Sequence, residues 1–155
     1  MENEVLKCLE TRRSVRAYLP KQVDEPTLDA ILKAGTYAAT GMGKQSPKII
    51  VLQKPEDIAE LEQMNAAVLG NPNAKPFYGA PTVCVVLADA GVGTAVEDGS
   101  LVMGNLMNAA HALGVDSCWI HRAREEFQSP EGKALLKRWG IEGEWIGVGH
   151  CILGY

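Results

Sequence analysis

The residues best suited to chemistry lie near the amino terminus, in the segment Arg12-Arg13-Ser14-Val15-Arg16. Three guanidinium groups and a hydroxyl suit an anion with several oxygens, because arginine donates paired hydrogen bonds to phosphate. If the segment is extended, Arg12, Ser14 and Arg16 point to one side. Arg13 then points to the other side. The alternative is that these cations only stabilise the carboxyl end of the first helix through its dipole.

Two loops add polar groups that could surround a ligand. Glycines in residues 38–47 let backbone amides approach a flat or phosphorylated molecule, and Gln45 offers both a donor and an acceptor to a ring edge. In residues 70–81, an asparagine could read a ring edge and a lysine could neutralise an anion. The candidates are Thr40, Gly41, Gly43 and Gln45 in the first loop and Asn73 and Lys75 in the second. Each loop also has the plainer interpretation of a turn or a lead into a strand.

The three histidines have different surroundings in the sequence. His111 lies in an apolar helix and His150 in the closing strand, so we predict a core or interface role for both. His121 follows a strand, at an edge where ligands often bind in α/β sheets, and both a pocket and a surface position stay open for it. The sequence has no Ser-His-Asp order, no metal-binding His-x-x-x-His pair, no P-loop and no dinucleotide-binding glycine fingerprint.

Composition and charge exclude several classes of protein. The chain of 155 residues is predicted to be one domain, residues 1–155. A formal net charge of −4 argues against a nucleic-acid binder, and no apolar run approaches the about 20 residues of a membrane span. The start of the chain lacks the pattern of a signal peptide. We therefore expect a cytoplasmic protein with reduced cysteines, no metal site and neither a nucleic acid nor a membrane as partner.

The elements that must position these residues form a pattern of helices around one sheet. Apolar spacing and cap residues predict helices at 2–11, from 24 to about 35, 56–67, 97–113 and 130–139. Apolar runs predict strands at 49–52, 83–87, 117–120 and 146–153. The helix 97–113 is apolar on nearly every side, which is typical of a helix buried in a core or in a subunit interface.

Several segments, taken in order, carry a resemblance that covers essentially the whole chain. They are Arg12 to Tyr18, Ala38 to Gln45, Tyr78 to Pro81, Asn105 to Trp119 and Gly149 to Tyr155. In this order they resemble the nitroreductase family of FMN-dependent oxidoreductases. The resemblance implies an α+β fold with a mixed central β-sheet wrapped by helices. It also implies a homodimer with two FMN sites, each built from both subunits, and with the long helix at the interface.

The resemblance also implies roles for individual residues. Arg12 and Ser14 would hold the FMN phosphate and ribityl chain, and Arg16 would lie toward the N1/O2 side of the ring. His121 and Arg122 stand where many members have a glycine beside flavin N5 and are candidates for that position. The full set implied to bind the cofactor is Arg12, Arg13, Ser14, Arg16, Thr40, Gly41, Gly43, Gln45, Asn73, Lys75, Cys118, Trp119, Ile120 and His121.

The activity that the resemblance implies is a ping-pong reaction. NAD(P)H would pass hydride to flavin N5, and a small acceptor such as a nitroaromatic or a quinone would then take the electrons. No protein acid or base is required, since the flavin supplies the chemistry. Two alternatives stay open: a flavin-binding carrier or sensor without efficient turnover, and a phosphate-binding domain unrelated to flavins.

Overall fold

A four-stranded sheet forms the centre of the molecule in the computed structural model, which describes residues 1–155. The strands are β1 (Lys48–Leu52), β2 (Thr82–Asp89), β3 (Asp116–Ile120) and β4 (Trp145–Gly154), in the order β1-β2-β4-β3. All three strand pairs are antiparallel. The one parallel pairing is an isolated bridge between Ser14 and Ser117, beyond the edge strand β3. The α+β fold is therefore confirmed, with its parallel component limited to that bridge.

Six helices surround the sheet. They are α1 (Glu4–Thr11), α2 (Glu25–Thr36), α3 (Pro55–Leu69), α4 (Ala95–Ala112), α5 (Ala123–Gln128) and α6 (Pro130–Arg138). The predicted helix start at Asp24 is confirmed, because its carboxylate accepts a hydrogen bond from the Thr27 amide and caps α2. Helix α5 was not predicted, since six residues are too few to show a helical period.

The sheet has a hydrophobic core on each face. Helices α2 and α4 cover one face, where Met103 and Leu106 are fully buried. Helices α3, α5 and α6 cover the other face, where Phe77 and Phe127 are buried. Strands β2 and β4 lie between the two cores, which explains why their sequences are apolar without alternation.

Helices α1 and α4 leave an apolar surface exposed. Helix α1 buries none of its residues, although Val5, Leu6 and Leu9 form an apolar stripe along it. On α4, Leu101 is 52% exposed, and a Cβ added at Gly104 would meet no atom within 4 Å. Within one chain the core therefore covers only part of α4, and the alternative of a subunit interface stays open for its exposed side. No helix in the fold has both the length and the apolar character to cross a membrane.

Candidate functional site

The arginine segment leaves α1 as extended chain along the edge of β3. The Val15 amide donates to the Ser117 carbonyl at 3.0 Å, next to the bridge between Ser14 and Ser117. Arg13 turns back toward the helix, where its Nη1 donates to the carbonyls of Glu10 and Arg12, both at 2.8 Å. The predicted difference between Arg12 and Arg13 is therefore present, and Arg13 uses its guanidinium within the chain.

Arg12 carries an unused donor in a buried place. The side chain is half-buried, and its Nη1 is shielded from solvent without a hydrogen-bond partner. Burial raises the pKa of the Cys151 thiol, and the nearby positive charge of Arg12 opposes that rise, so the guanidinium lies close to β4. Buried polar groups are normally paired, so this donor is suited to an anionic ligand.

Two further unpartnered donors lie on the same side of the sheet. The Ser117 hydroxyl and the Trp119 indole Nε1 are both buried without a partner. They alternate along β3 with Cys118 and Ile120, whose side chains are buried in the core on the opposite face. Only the backbones of Cys118 and Ile120 could therefore contact a ligand. The hydroxyl and the indole add neutral donors on the strand along which the arginine segment runs.

The loop that contains Thr40 and Gln45 is held at the amino end of α4. The Gly41 amide donates to Asp98 Oδ1 at 2.9 Å, and the Gln45 amide donates to the Thr40 hydroxyl at 3.0 Å. A Cβ at Gly41 would lie 2.2 Å from Thr94 Oγ1, so a larger residue would have to displace the Thr94 side chain. Positive φ angles at Met42 (55°), Gly43 (65°) and Gln45 (48°) coil the loop tightly.

Thr40 and Gln45 also border a cavity of about 370 Å³ between α2, β1 and α4. Its lining mixes these polar side chains with apolar ones such as Leu32, Ile49 and Val102. Such a mixture suits a flat molecule that is apolar on its faces and polar at its edges.

In a single chain, this loop lies far from the arginine segment. Helix α1 contacts the carboxyl half of α4, where Cys8 Sγ donates to the Asn108 carbonyl at 3.4 Å and the Thr11 hydroxyl lies 2.9 Å from His111 Nε2. The loop is bound to Asp98 instead. Ten helical residues separate Asp98 from Asn108, which corresponds to about 15 Å along the axis. The structure therefore does not bring these two predicted groups together.

The remaining candidates meet at α3, on the other face of the sheet. Lys75 Nζ lies 3.5 Å from Glu62 Oε2, and the His121 carbonyl accepts a hydrogen bond from Asn65 Nδ2 at 2.9 Å. Glu62 and Asn65 are neighbours on one face of α3 because they are three residues apart. Lys75 and His121 are thus brought to the same stretch of helix. Asn73 is exposed, and only its backbone amide is bonded, to Asn71 Oδ1 at 3.2 Å.

Strand β3 links the arginine segment to the residues His121-Arg122 that follow the strand, here called the corner. Its beginning bridges to Ser14, and its end leads into His121. Four residues of strand separate Ser117 from His121, about 13 Å. The structure therefore places the arginine segment, one edge of β3 and the His121 corner along one continuous line.

A buried polar network below the corner was missed by sequence reasoning. Asn65, Glu126 and His150 are fully or almost fully buried. Asn65 Nδ2 donates to Glu126 Oε2 at 3.0 Å, and His150 Nε2 lies 2.5 Å from the same oxygen. The core position predicted for His150 is confirmed. One signal could have pointed to the network. Asn65 follows the core residue Leu61 by four positions, so it lies on the same, buried face of the helix.

The cysteines and the acidic residues provide no metal centre. All four cysteines are free thiols, and Cys84, Cys118 and Cys151 are buried. Burial raises the pKa of Cys84 to about 12, so that thiol is neutral at ordinary pH. No group of three or more His, Cys, Asp or Glu side chains is arranged to hold a metal ion.

Comparisons with known proteins identify the family. The model of the nitroreductase family matches residues 9–155. The chain belongs to the nitroreductase family. A relative in Archaeoglobus fulgidus, which bears the provisional name NADH dehydrogenase/NAD(P)H nitroreductase, is 30% identical over 98% of this chain and 85% of its own length. A protein of the same provisional name from Methanothermobacter thermautotrophicus is 28% identical over 75% of this chain, and the match spans only 60% of that relative.

Solved nitroreductase structures share the fold along the whole chain. The nitroreductase of Bacteroides fragilis, solved with bound FMN, has a TM-score of 0.92 at 31% identity and covers 99% of this chain and 89% of its own. The FMN-bound nitroreductase of Desulfitobacterium hafniense has a TM-score of 0.91 at 27% identity, with coverage of 100% and 90%. The fold and the family expected from the sequence motifs are thus both confirmed.

Proposed function

We propose that this chain is an FMN-dependent oxidoreductase that takes hydride from NAD(P)H and delivers it to a small acceptor such as a nitroaromatic or a quinone. Two nitroreductases of nearly the same fold were solved with FMN. The observation that carries the proposal for this chain is the buried and unpartnered Nη1 of Arg12 beside β3. That donor suits an anion such as the single phosphate of FMN.

The residues along β3 fit FMN in chemical type. Arg12 would neutralise the phosphate, and Ser14, which is exposed two residues further along, would donate to the phosphate or the ribityl chain. Arg16 is exposed and lies two residues further along the segment, where its charge would stabilise negative charge on the N1/O2 side of a bound ring. FMN, when bound, supplies the hydride chemistry at N5. No side chain of the chain then has to act as a general acid or base.

A complete site in this proposal needs two chains. The loop containing Thr40 and Gln45 lies at the amino end of α4, and the arginine segment lies near its carboxyl end. In a twofold dimer with antiparallel α4 helices, the amino end of one helix lies beside the carboxyl end of the other. The loop of one subunit would then approach the arginine segment of its partner.

The apolar surface supports a dimer of this kind. Val5 is 67% exposed and Leu9 is 51% exposed on α1, and Leu101 is 52% exposed on α4, the helix that α1 contacts. The open space at Gly104 would let a second helix approach closely. Contiguous exposed apolar patches on soluble proteins mark interaction surfaces. We infer that this surface is the homodimer interface.

The absorbance spectrum of the purified protein tests the activity. A yellow protein that bleaches with NADH or NADPH and regains colour with a quinone supports the proposal. Yellow protein that no nicotinamide bleaches would instead support the carrier or sensor function, and colourless protein that FMN cannot reconstitute would exclude both. Flavin released by heat should co-migrate with FMN, and release of FAD would contradict the single phosphate site.

Light scattering tests the shared site. The expected mass is about twice the 16.7 kDa of one chain. A stable monomer that retains FMN would show that one chain is sufficient.

A further inference from the structure

The corner at His121-Arg122 is held in place by hydrogen bonds with a buried side-chain amide. Asn65 Nδ2 donates to the His121 carbonyl at 2.9 Å, and Asn65 Oδ1 accepts from Arg122 Nε at 2.9 Å. The same Nδ2 donates to Glu126 Oε2, which lies 2.5 Å from His150 Nε2. Asn65 thus fixes both the backbone and the arginine side chain of the corner, and the Glu126–His150 pair fixes Asn65.

Arg122 occupies a backbone conformation that suits glycine. Its φ is 77° and its ψ is 1°, in the left-handed region. A residue with a Cβ is strained there, whereas glycine is not. Such backbone strain is retained where surrounding contacts hold the residue in place, and it is most common at functional sites. An arginine in this position therefore points to a use for its side chain.

The guanidinium is anchored at one atom and free at two. Nε is bonded to Asn65, whereas neither Nη group makes a hydrogen bond within the chain, and no carboxylate lies within 4.0 Å. The side chain is half-buried, so its free edge still faces solvent. An anchored guanidinium with two free Nη groups is prepared to bind a carboxylate through paired hydrogen bonds.

No carboxylate around the corner forms an ion pair with the Arg122 guanidinium. Glu126 Oε2 is bonded to Asn65 and lies beside His150, Glu126 Oε1 is buried without a partner, and Glu62 is occupied by Lys75 and the Phe77 amide. Next along the chain, Arg124 and Glu125 are both exposed, and neither forms an ion pair. Arg122 is thus left without an internal counterion.

We propose that Arg122 is an anion subsite that selects electron acceptors bearing a carboxylate. The inference rests on the proposed function and on the position beside flavin N5 that the resemblance to the family implies for the His121-Arg122 corner. An acceptor whose carboxylate binds the free edge of Arg122 would be oriented with its reducible group toward the flavin. Arg122 acts here on acceptor choice, and Asn65 is a positioning residue that acts through it.

Paired ligands that differ only in charge test the subsite. We would titrate the FMN-loaded protein with 4-nitrobenzoate and with 4-nitrobenzamide in the absence of NAD(P)H, by calorimetry and by the shift in flavin absorbance. The variants are Arg122→Gly, which suits the left-handed backbone, and Arg124→Gln, which removes a neighbouring exposed charge. Melting temperatures show that each variant is folded.

The expected result is a selective loss in one variant. The preference for nitrobenzoate over nitrobenzamide should fall by about 10- to 150-fold in Arg122→Gly, as for the loss of hydrogen bonds to a charged group. Arg124→Gln should retain the preference. Arg122→Lys, which keeps the charge but not the paired donors, should fall between the two.

Several outcomes would overturn the inference. One is an unchanged preference in Arg122→Gly, and another is an equal loss in Arg124→Gln. In a separate titration with NADP⁺, a loss of affinity for that nucleotide alone would assign Arg122 to a phosphate of the electron donor and would also overturn it. Failure of the proposed function looks different: the protein then binds no FMN or is not reduced by NAD(P)H. A protein that binds FMN and is reduced, yet does not discriminate between the two ligands, contradicts only the subsite.

Discussion

Replacing Arg12 by alanine should weaken FMN binding while sparing the empty protein. In the chain itself, Arg12 Nη1 is buried without a partner, and a buried unpaired donor costs about 1–3 kcal/mol. Removing it should therefore leave the stability of the FMN-free protein unchanged or slightly higher. With FMN present, the same change removes charge-assisted hydrogen bonds worth about 1.5–3 kcal/mol, which raises Kd by about 10- to 150-fold.

Arg13→Ala is the matched control for this experiment. Its guanidinium is satisfied by the carbonyls of Glu10 and Arg12, so its loss should cost a little helix stability and leave FMN affinity unchanged. Quenching of flavin fluorescence gives Kd for both variants at one ionic strength, and thermal unfolding is followed with and without FMN. If the two cations only stabilise the end of α1, both variants lose about 0.3–1 kcal/mol whether or not FMN is present. That pattern, with equal Kd values, would refute the phosphate assignment.

Three further outcomes follow from the structure. Arg16→Ala should lower the flavin reduction potential and slow reduction by NADH at saturating FMN, since it removes a cation near the reduced ring; a potential equal to that of the wild type would argue against that position. Leu101→Glu should dissociate the dimer into folded subunits, whereas Leu106→Glu should unfold the chain because Leu106 is fully buried; a dimeric Leu101→Glu protein would place the interface elsewhere. Iodoacetamide at pH 8 should label only Cys8, because burial raises the pKa of Cys84 to about 12 and keeps it a neutral, shielded thiol; mass spectrometry showing several labels per folded chain would contradict this.

Local signals were sufficient for most of the fold. The unbroken apolar run at 83–87 and the capping residue Asp24 each act within a few residues, so they could be recognised in the sequence. The sheet order β1-β2-β4-β3 could not be predicted in this way, because it depends on pairing between distant segments. Helix α5 was missed because its six residues lie between a strand and α6 and are defined by packing against β4.

The candidate site was likewise predictable only where the signal is local. The alternation in Arg12, Arg13 and Ser14 predicted which arginine is free, because an extended segment has a period of two and the segment is indeed extended. The cofactor candidates Cys118 and Ile120 could not be assigned a face, since that depends on which side of β3 each helix covers. Their side chains point into the core with Phe127.

The buried network shows most clearly what a sequence hides. Glu126 and His150 are 24 positions apart, and Asn65 is 61 positions from Glu126; nothing in the spacing links them. A polar group excluded from water needs a partner, and each of these three finds one only because α3, α5 and β4 converge below the same corner. That convergence explains how a strained arginine can be held after β3 with its outer edge free. The support for Arg122 comes from the core. A surface substitution such as Arg124→Gln therefore leaves this support intact, whereas Asn65→Leu would free the Arg122 side chain without changing Arg122 itself.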